Sequence, residues 1–136
     1  MISFASHSKA DMFDGSPLPA DQAFVFQFSV NAHKNLEFYW QIAPGYFLYQ
    51  ENFRLLDADN RSLLNSDLLP PGIKLNDPAI GNYTVYASQV KIDIPWNDSF
   101  IDNSILLSYQ GCAKNGFCYA PINKQIYINA DNKFRI

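Results

Sequence analysis

Two stretches with an apolar residue at every second position constrain the fold of this chain most strongly. They cover residues 24–30 and 36–42, and aromatic and aliphatic side chains occupy the apolar positions. Successive side chains of a β-strand point to opposite faces, so this period of two is typical of half-buried strands. The residues predicted to face the core are Phe24, Phe26, Phe28 and Val30 in the first stretch and Leu36, Phe38, Trp40 and Ile42 in the second.

Further short strands are predicted at residues 46–56, 85–94, 105–109 and 126–128, with a long loop at residues 69–82 and no amphipathic helix. Short strands separated by turns, with 15% aromatic residues, favour an all-β fold over a helical one. A chain of 136 residues has room for one such domain. We therefore predict an immunoglobulin-like antiparallel β-sandwich over residues 21–136, preceded by an N-terminal arm over residues 1–20.

Charge and composition argue against several classes of function. The net charge is −3, which disfavours binding to nucleic acid, and no apolar run approaches the ~18 residues that cross a bilayer. His7, His33 and the two cysteines do not have the spacing of a zinc site, so no metal is expected. The chain also lacks a glycine-rich phosphate loop and the sequence motifs of the common hydrolases.

The two cysteines, Cys112 and Cys118, flank a strong turn signal, Asn115-Gly116. If residues 114–116 form a three-residue loop with Gly116 left-handed, the cysteines face each other across a hairpin. Opposed residues in antiparallel strands have Cα atoms about 4.5–5.5 Å apart, which is within the range that a disulfide accepts. The hairpin therefore permits the bond, although a wider loop would also permit it.

The spacing of the cysteines leaves the role of such a bond open. A disulfide that closes a very short ring constrains the unfolded chain little, so its contribution to stability is small. A redox-active pair and a structural hairpin staple are about equally compatible with this spacing, and two free thiols are a further alternative.

The segment around the cysteines, YQGCAKNGFCYAP at residues 109–121, resembles the active-site hairpin of the N-terminal domain of the bacterial thiol:disulfide interchange protein DsbD. Two other blocks occur in the same order as in that family. One combines residues 21–24 with residues 40–49, and the other is Asp77 to Gly81 followed by Tyr86. The resemblance extends over residues 19–128.

The resemblance implies an immunoglobulin-like sandwich with a redox-active hairpin and a cap loop. Cys118 would form the mixed disulfide with a partner protein and Cys112 would resolve it. The implied cap loop comprises Asp77, Pro78, Ala79, Ile80 and Gly81. The implied site-lining residues are Tyr46, Phe47, Tyr49, Phe117 and Tyr119.

The resemblance also implies a function, protein-disulfide reduction in the periplasm without a cofactor. Electrons would come from the C-terminal thioredoxin-like domain of the same membrane-embedded protein. They would pass to the disulfide isomerases DsbC and DsbG and to the cytochrome c maturation thioredoxin, and the domain itself would be monomeric. Two alternatives remain, a non-catalytic immunoglobulin-like binding module and an oxidoreductase that makes disulfides.

The cap loop departs from the family pattern. The aromatic pair that covers the disulfide in the family is replaced by Ala79 and Ile80, and the second of two acidic residues is Pro78. Phe47 replaces a tyrosine near the site, which removes a hydroxyl. A thinner cap is therefore expected, and Asp77 either forms an Asx turn before Pro78 or raises the pKa of a nearby cysteine thiol.

Overall fold

The computed structural model describes residues 16–31, 33–130 and 133–136. Residues 1–15 of the predicted N-terminal arm therefore lie outside the described residues. Within the described residues, eleven strands form three sheets whose strands pair in antiparallel register. The strands are β1 Phe24–Val30, β2 Asn35–Ile42, β3 Tyr46–Tyr49, β4 Arg54–Leu56, β5 Ile73–Asp77, β6 Gly81–Tyr86, β7 Gln89–Pro95, β8 Asn103–Tyr109, β9 Gly111–Ala113, β10 Ile122–Ile128 and β11 Phe134–Arg135.

Among residues 16–31, 33–130 and 133–136, the helical elements are one α-helical turn, α1 Ala20–Ala23, and two 3-10 turns, Gln50–Asn52 and Asp98–Phe100. None of the helices in the described ranges has the length and apolar character that crossing a membrane requires.

Two of the sheets supply most of the hydrophobic core of the domain, to which Leu48 and Tyr86 of the third sheet also belong. One has the order β1-β2-β7 and the other the order β11-β10-β8-β4, and buried side chains from both belong to a single core cluster. Trp40 on β2 and Tyr109 on β8 join them, with ring centroids 5.2 Å apart. The alternation predicted for residues 36–42 is confirmed, since Leu36, Phe38 and Trp40 are fully buried. The predicted all-β antiparallel sandwich is likewise confirmed.

The third sheet, with the order β5-β6-β3-β9, carries the cysteines. Gly45, with a φ of +85°, turns the chain from β2 into β3. Strand β9 follows β8 after a single residue, Gln110. The cysteine hairpin is thus a direct extension of a core strand, and this connection fixes the position of Cys112.

The predicted loop at residues 69–82 is wrong over most of its length, because β5 and the start of β6 form a hairpin there. Asp77 pairs with Gly81 at the tip, and Ile73 pairs with Val85 at the base. Residues 73–76 are all exposed on an edge strand. Such a strand lacks the buried apolar positions from which a strand is predicted, and the Pro70-Pro71-Gly72 sequence before it resembles a loop.

Candidate active site at the cysteine hairpin

The hairpin has the predicted three-residue loop. Gly116 has a φ of +102°, a conformation that glycine adopts more readily than other residues. The N–H of Gly116 donates to the carbonyl of Ala113 at 3.0 Å, and the N–H of Ala113 donates to the carbonyl of Phe117 at 2.7 Å. The loop therefore brings the two arms of the hairpin into register with Cys112 opposite Cys118.

Cys112 and Cys118 form a disulfide with an S–S distance of 2.13 Å and a Cα–Cα distance of 4.0 Å. The Cα–Cα distance is shorter than we predicted. The backbone hydrogen bonds of the hairpin join the flanking residues, Ala113 to Phe117 and Tyr119 to Gly111. The cysteines are thus a non-hydrogen-bonded pair, which is the closer of the two kinds in an antiparallel ladder.

The two sulfur-bearing residues differ strongly in accessibility. Cys112 is only 2% exposed, because β9 pairs with β3 and Cys112 lies opposite Phe47. Cys118, on the other arm of the hairpin, is exposed. A protein thiol can therefore approach the disulfide at Cys118 and not at Cys112.

Gly111 allows the strand that carries Cys112 to lie close to β3. A Cβ atom at this position would be 2.3 Å from the carbonyl oxygen of Phe47 and 2.6 Å from a ring carbon of Phe24. The first contact is with backbone, which cannot move aside as a flexible side chain can. Glycine is thus required here for the packing of the hairpin onto the sheet.

Tyr49 is the polar neighbour of the buried sulfur. Its hydroxyl oxygen lies 3.5 Å from the Sγ of Cys112, and a disulfide sulfur can only accept, so the hydroxyl donates. Burial raises the pKa of Tyr49, and the nearby hydroxyl of Tyr83 and the carboxylate of Asp77 raise it further. Tyr49 therefore keeps its proton at neutral pH and remains a donor towards Cys112.

Asp77 organises the tip of the β5–β6 hairpin, where we predicted the cap loop. Its Oδ1 accepts hydrogen bonds from the N–H groups of Ala79 at 2.7 Å and Ile80 at 3.3 Å, which is an Asx turn. Its charge also raises the pKa of Tyr49. Of the two alternatives for Asp77, the structure has the Asx turn, and an effect of Asp77 on the cysteine thiols stays a prediction. Pro78 and Ala79 are exposed, and Ile80 is 67% exposed. The turn is therefore held by Asp77 rather than by burial of its apolar side chains.

The aromatic residues predicted to line the site divide into two groups. Phe47 and Tyr49 on β3 lie on the same face of the sheet as Cys112 on the neighbouring β9. The ring centroids of Phe47 and Tyr49 are 5.3 Å apart. Phe117, which is 44% exposed, packs edge-on against Tyr119 at 4.9 Å beside Cys118. Tyr46 is also in this second group, because its ring centroid lies 6.3 Å from that of Tyr119. The site is thus bordered by aromatic rings on both arms of the hairpin.

Sequence analysis missed two residues that hold the second arm of the hairpin. The first is Gln110, whose side-chain Nε2 donates to the carbonyl of Tyr119 at 2.9 Å. The Oε1 of Gln110 accepts from Asn52 at 3.0 Å. The amide therefore connects the arm to the 3-10 turn at Gln50–Asn52, and only the position of Gln110 next to the cysteine motif could have indicated this.

The second missed residue is Leu18, whose backbone lies between two tyrosine hydroxyls. Its N–H donates to the Oη of Tyr46 at 2.8 Å, and its carbonyl accepts from the Oη of Tyr119 at 2.5 Å. Burial and the neighbouring Tyr46 raise the pKa of Tyr119 to about 12. No sequence signal indicates this contact, because it uses the backbone of Leu18 and not its side chain.

Within the described ranges, no group of three or more His, Cys, Asp or Glu residues is placed to hold a metal ion. The cysteine pair offers thiol–disulfide exchange, namely opening of the disulfide at the exposed Cys118 and release of the buried Cys112.

Comparison with known proteins identifies relatives over most of the chain. The family model described as "Thiol:disulfide interchange protein DsbD, N-terminal" matches residues 14–130. The DsbD protein of Tatumella citrea is 32% identical over 127 residues, which are 90% of this chain and 22% of that protein. The DsbD protein of Shigella boydii is 34% identical over 80% of this chain and 19% of its own length. The chain thus spans about a fifth of the length of these curated relatives.

Two solved structures from Neisseria meningitidis have the same fold. The reduced form of the DsbD N-terminal domain superposes with a TM-score of 0.67 and 28% identity, covering 87% of this chain and 93% of that one. The complex between the DsbD N-terminal and PilB N-terminal domains gives a TM-score of 0.62 and 26% identity, covering 82% of this chain and 86% of that one. The immunoglobulin-like fold predicted from the sequence is confirmed.

Proposed function

The chain belongs to the family of DsbD N-terminal domains, and on that basis we propose that it is a protein-disulfide reductase domain that cycles between a Cys112–Cys118 disulfide and a dithiol. The observation that carries this proposal is the unequal exposure of the two cysteines, with Cys118 exposed and Cys112 2% exposed. A structural staple does not require one accessible sulfur, whereas exchange with a protein partner does.

Reduction of the domain begins when a partner thiolate attacks the Sγ of Cys118. The S–S bond breaks, a mixed disulfide forms between Cys118 and the partner, and Cys112 leaves as a thiolate beside the hydroxyl of Tyr49. The second thiol of the partner then attacks its own mixed disulfide, which releases Cys118 and leaves the partner oxidised. The domain now holds two thiols and has accepted two electrons.

Delivery of the electrons is the reverse sequence with a different partner. The Cys118 thiolate attacks the disulfide of an oxidised partner, and a mixed disulfide forms. Cys112 then attacks the Sγ of Cys118, which re-forms the internal disulfide and releases the partner as a dithiol. In this sequence Cys118 exchanges with partners and Cys112 resolves.

The partners and location that we propose follow from the family. Electrons would come from a C-terminal thioredoxin-like domain of the same membrane protein. They would pass in the periplasm to DsbC, DsbG and the cytochrome c maturation thioredoxin. The Neisseria meningitidis structure in which a DsbD N-terminal domain is complexed with a PilB N-terminal domain supports docking of a partner protein on this fold.

Trapping a mixed disulfide tests the proposal. The oxidised chain is mixed with a reduced thioredoxin-like partner that lacks its resolving cysteine, and the products are measured by intact mass. We expect a covalent adduct. If no adduct forms and the Cys112–Cys118 bond stays intact, the bond is a structural staple and the proposed function is wrong.

Single-cysteine variants assign the sulfurs. The same partner, activated as a mixed disulfide with an aromatic thiol, is offered to Cys112→Ser and to Cys118→Ser. We expect the adduct with Cys112→Ser, which keeps the exposed thiol, and not with Cys118→Ser. The opposite pattern would assign the attacking role to Cys112 and contradict the proposed sequence of steps.

A further inference from the structure

Beyond the carbonyl of Phe117, which accepts from the N–H of Ala113 at 2.7 Å, the second arm of the hairpin, residues 117–119, is held to the domain through Tyr119. No strand of the described chain includes this arm, and it meets β9 at the Cys112–Cys118 bridge and through one backbone hydrogen bond on each side of it. The N–H of Tyr119 donates to the carbonyl of Gly111 at 3.1 Å, and its carbonyl accepts from Gln110 at 2.9 Å. The residue directly after Cys118 is thus fixed at both ends of its backbone.

The side chain of Tyr119 adds a third anchor to the arm. Its hydroxyl donates to the carbonyl of Leu18 at 2.5 Å, a residue 101 positions away in the sequence. The N–H of Leu18 donates to the hydroxyl of Tyr46 at 2.8 Å. We call this arrangement of Leu18, Tyr46 and Tyr119 the Leu18 clamp. It ties the exposed arm of the hairpin to the segment that leads into α1.

Packing of the aromatic rings supports the clamp. The ring of Phe24 lies edge-on to Tyr119 at 5.4 Å and to Tyr46 at 6.1 Å, and Phe24 is 1% exposed. The rings would keep these positions without the hydroxyl groups, so replacing a tyrosine here by phenylalanine removes a hydrogen bond and leaves the packing in place.

We propose that Tyr119 is a positioning residue that, through the Leu18 clamp, holds Cys118 opposite Cys112 when the pair is reduced and so favours closure of the disulfide. This role rests on the proposed function, since it concerns the dithiol that the cycle produces. In the oxidised protein the S–S bond itself confines the arm. In the dithiol only the hydrogen bonds and the ring packing confine it.

The sign of the effect follows from this difference. Loss of the clamp gives the arm more conformational freedom in the dithiol than in the disulfide, because the S–S bond still restricts the latter. The dithiol gains more entropy and becomes the more favoured state. The equilibrium constant for disulfide formation, in which the dithiol and oxidised glutathione give the disulfide and two reduced glutathiones, should therefore decrease.

The test measures that equilibrium constant by incubating the full chain at graded ratios of reduced to oxidised glutathione and quantifying both forms by intact mass. Tyr119→Phe should lower the constant about 2- to 10-fold, the range that one net hydrogen bond spans. The species carrying one glutathione should also be more abundant, because Cys112 resolves it less efficiently.

The matched control is Tyr39→Phe. The hydroxyl of Tyr39 donates to Gln89 at 2.9 Å on the sandwich, so both variants lose one tyrosine hydrogen bond. A merely structural role would lower the free energy of unfolding in both variants and leave the glutathione equilibrium unchanged. We expect a shifted equilibrium only for Tyr119→Phe.

Tyr46→Phe and the double variant test the part played by Leu18. Both hydroxyls bond the same residue, so the double variant should decrease the constant little more than the larger single change. If the decreases of the two single variants add fully in the double variant, the two hydroxyls do not act through a shared anchor at Leu18.

Two outcomes separate the positioning role from the proposed function. If the unmodified chain cycles normally but Tyr119→Phe has the same equilibrium constant, the positioning role alone is wrong. A disulfide that no glutathione ratio reduces in the unmodified chain would overturn the proposed function, and the positioning role with it.

Discussion

The hydroxyl oxygen of Tyr49 lies 3.5 Å from the Sγ of Cys112, so a hydrogen-bond donor lies next to the sulfur that leaves when the disulfide opens at Cys118. A hydrogen bond to a departing thiolate lowers the free energy of the transition state for reduction. We therefore expect Tyr49→Phe to be reduced roughly 10-fold more slowly by dithiothreitol, measured by stopped-flow at pH 7.

The control for this prediction is again Tyr39→Phe, which should be reduced at the rate of the unmodified chain. Because the pKa of Tyr49 is raised by burial and by its neighbours, the hydroxyl stays protonated and the rate ratio should be the same at pH 7 and pH 9. An unchanged rate in Tyr49→Phe would mean that solvent, and not Tyr49, stabilises the leaving sulfur.

Two substitutions of Asp77 separate its hydrogen bonds from its charge. Asp77→Asn keeps an oxygen that can accept from Ala79 and Ile80, so the stability should change little. Asp77→Ala removes the acceptor and should lower the free energy of unfolding by about 1 kcal/mol, measured by urea denaturation. Asp77→Asn should also lower the pKa of Tyr49, since it removes a nearby negative charge. Equal destabilisation by both variants would contradict this separation.

Gly111→Ala should destabilise the hairpin more than any other single methyl addition at a glycine of this site. The added Cβ would lie 2.3 Å from the carbonyl oxygen of Phe47, and we expect a loss of about 3 kcal/mol in chemical denaturation. Gly116→Ala is the comparison, because nothing lies within 4 Å of its Cβ position and only its φ of +102° is unfavourable. A loss for Gly111→Ala no larger than that for Gly116→Ala would show that the strands can separate without cost.

The ionisation of Tyr119 gives a prediction about alkaline pH. Its pKa is raised to about 12 in the folded chain, mainly by burial, whereas an exposed tyrosine ionises near pH 10. The raised pKa therefore contributes stability that is present below about pH 10 and is lost as the pH rises through about 12. The free energy of unfolding of the oxidised chain should fall more steeply between these values than that of Tyr119→Phe. Parallel curves for the two proteins would contradict the prediction.

The sequence predicted those parts of the fold in which burial alternates. Strands β1 and β2 have one face in the core, so Phe38 and Trp40 recur with a period of two. Strand β5 has no buried residue and was predicted as a loop. An edge strand is specified by its backbone pairing with β6, and such pairing leaves no trace in the pattern of apolar residues.

The site was predictable where the interactions are local. The Asn115-Gly116 turn places Cys112 opposite Cys118. The cap loop, in contrast, rests on a resemblance to a family and stays a prediction. The exposure of Cys118 was not predictable, because it depends on how the hairpin packs against β3. The clamp at Leu18 depends on a backbone carbonyl that every residue possesses, so the residue type at position 18 carries no signal for it.

The burial of Cys112 has a kinetic consequence for the proposed cycle. With one accessible sulfur, the donor of electrons and their acceptor must approach the same atom, so the two partner proteins compete for one surface. They cannot be bound together, and no ternary complex forms. Steady-state rates are measured against donor concentration at several fixed acceptor concentrations. Their double-reciprocal plots should then be parallel lines, as in a ping-pong mechanism.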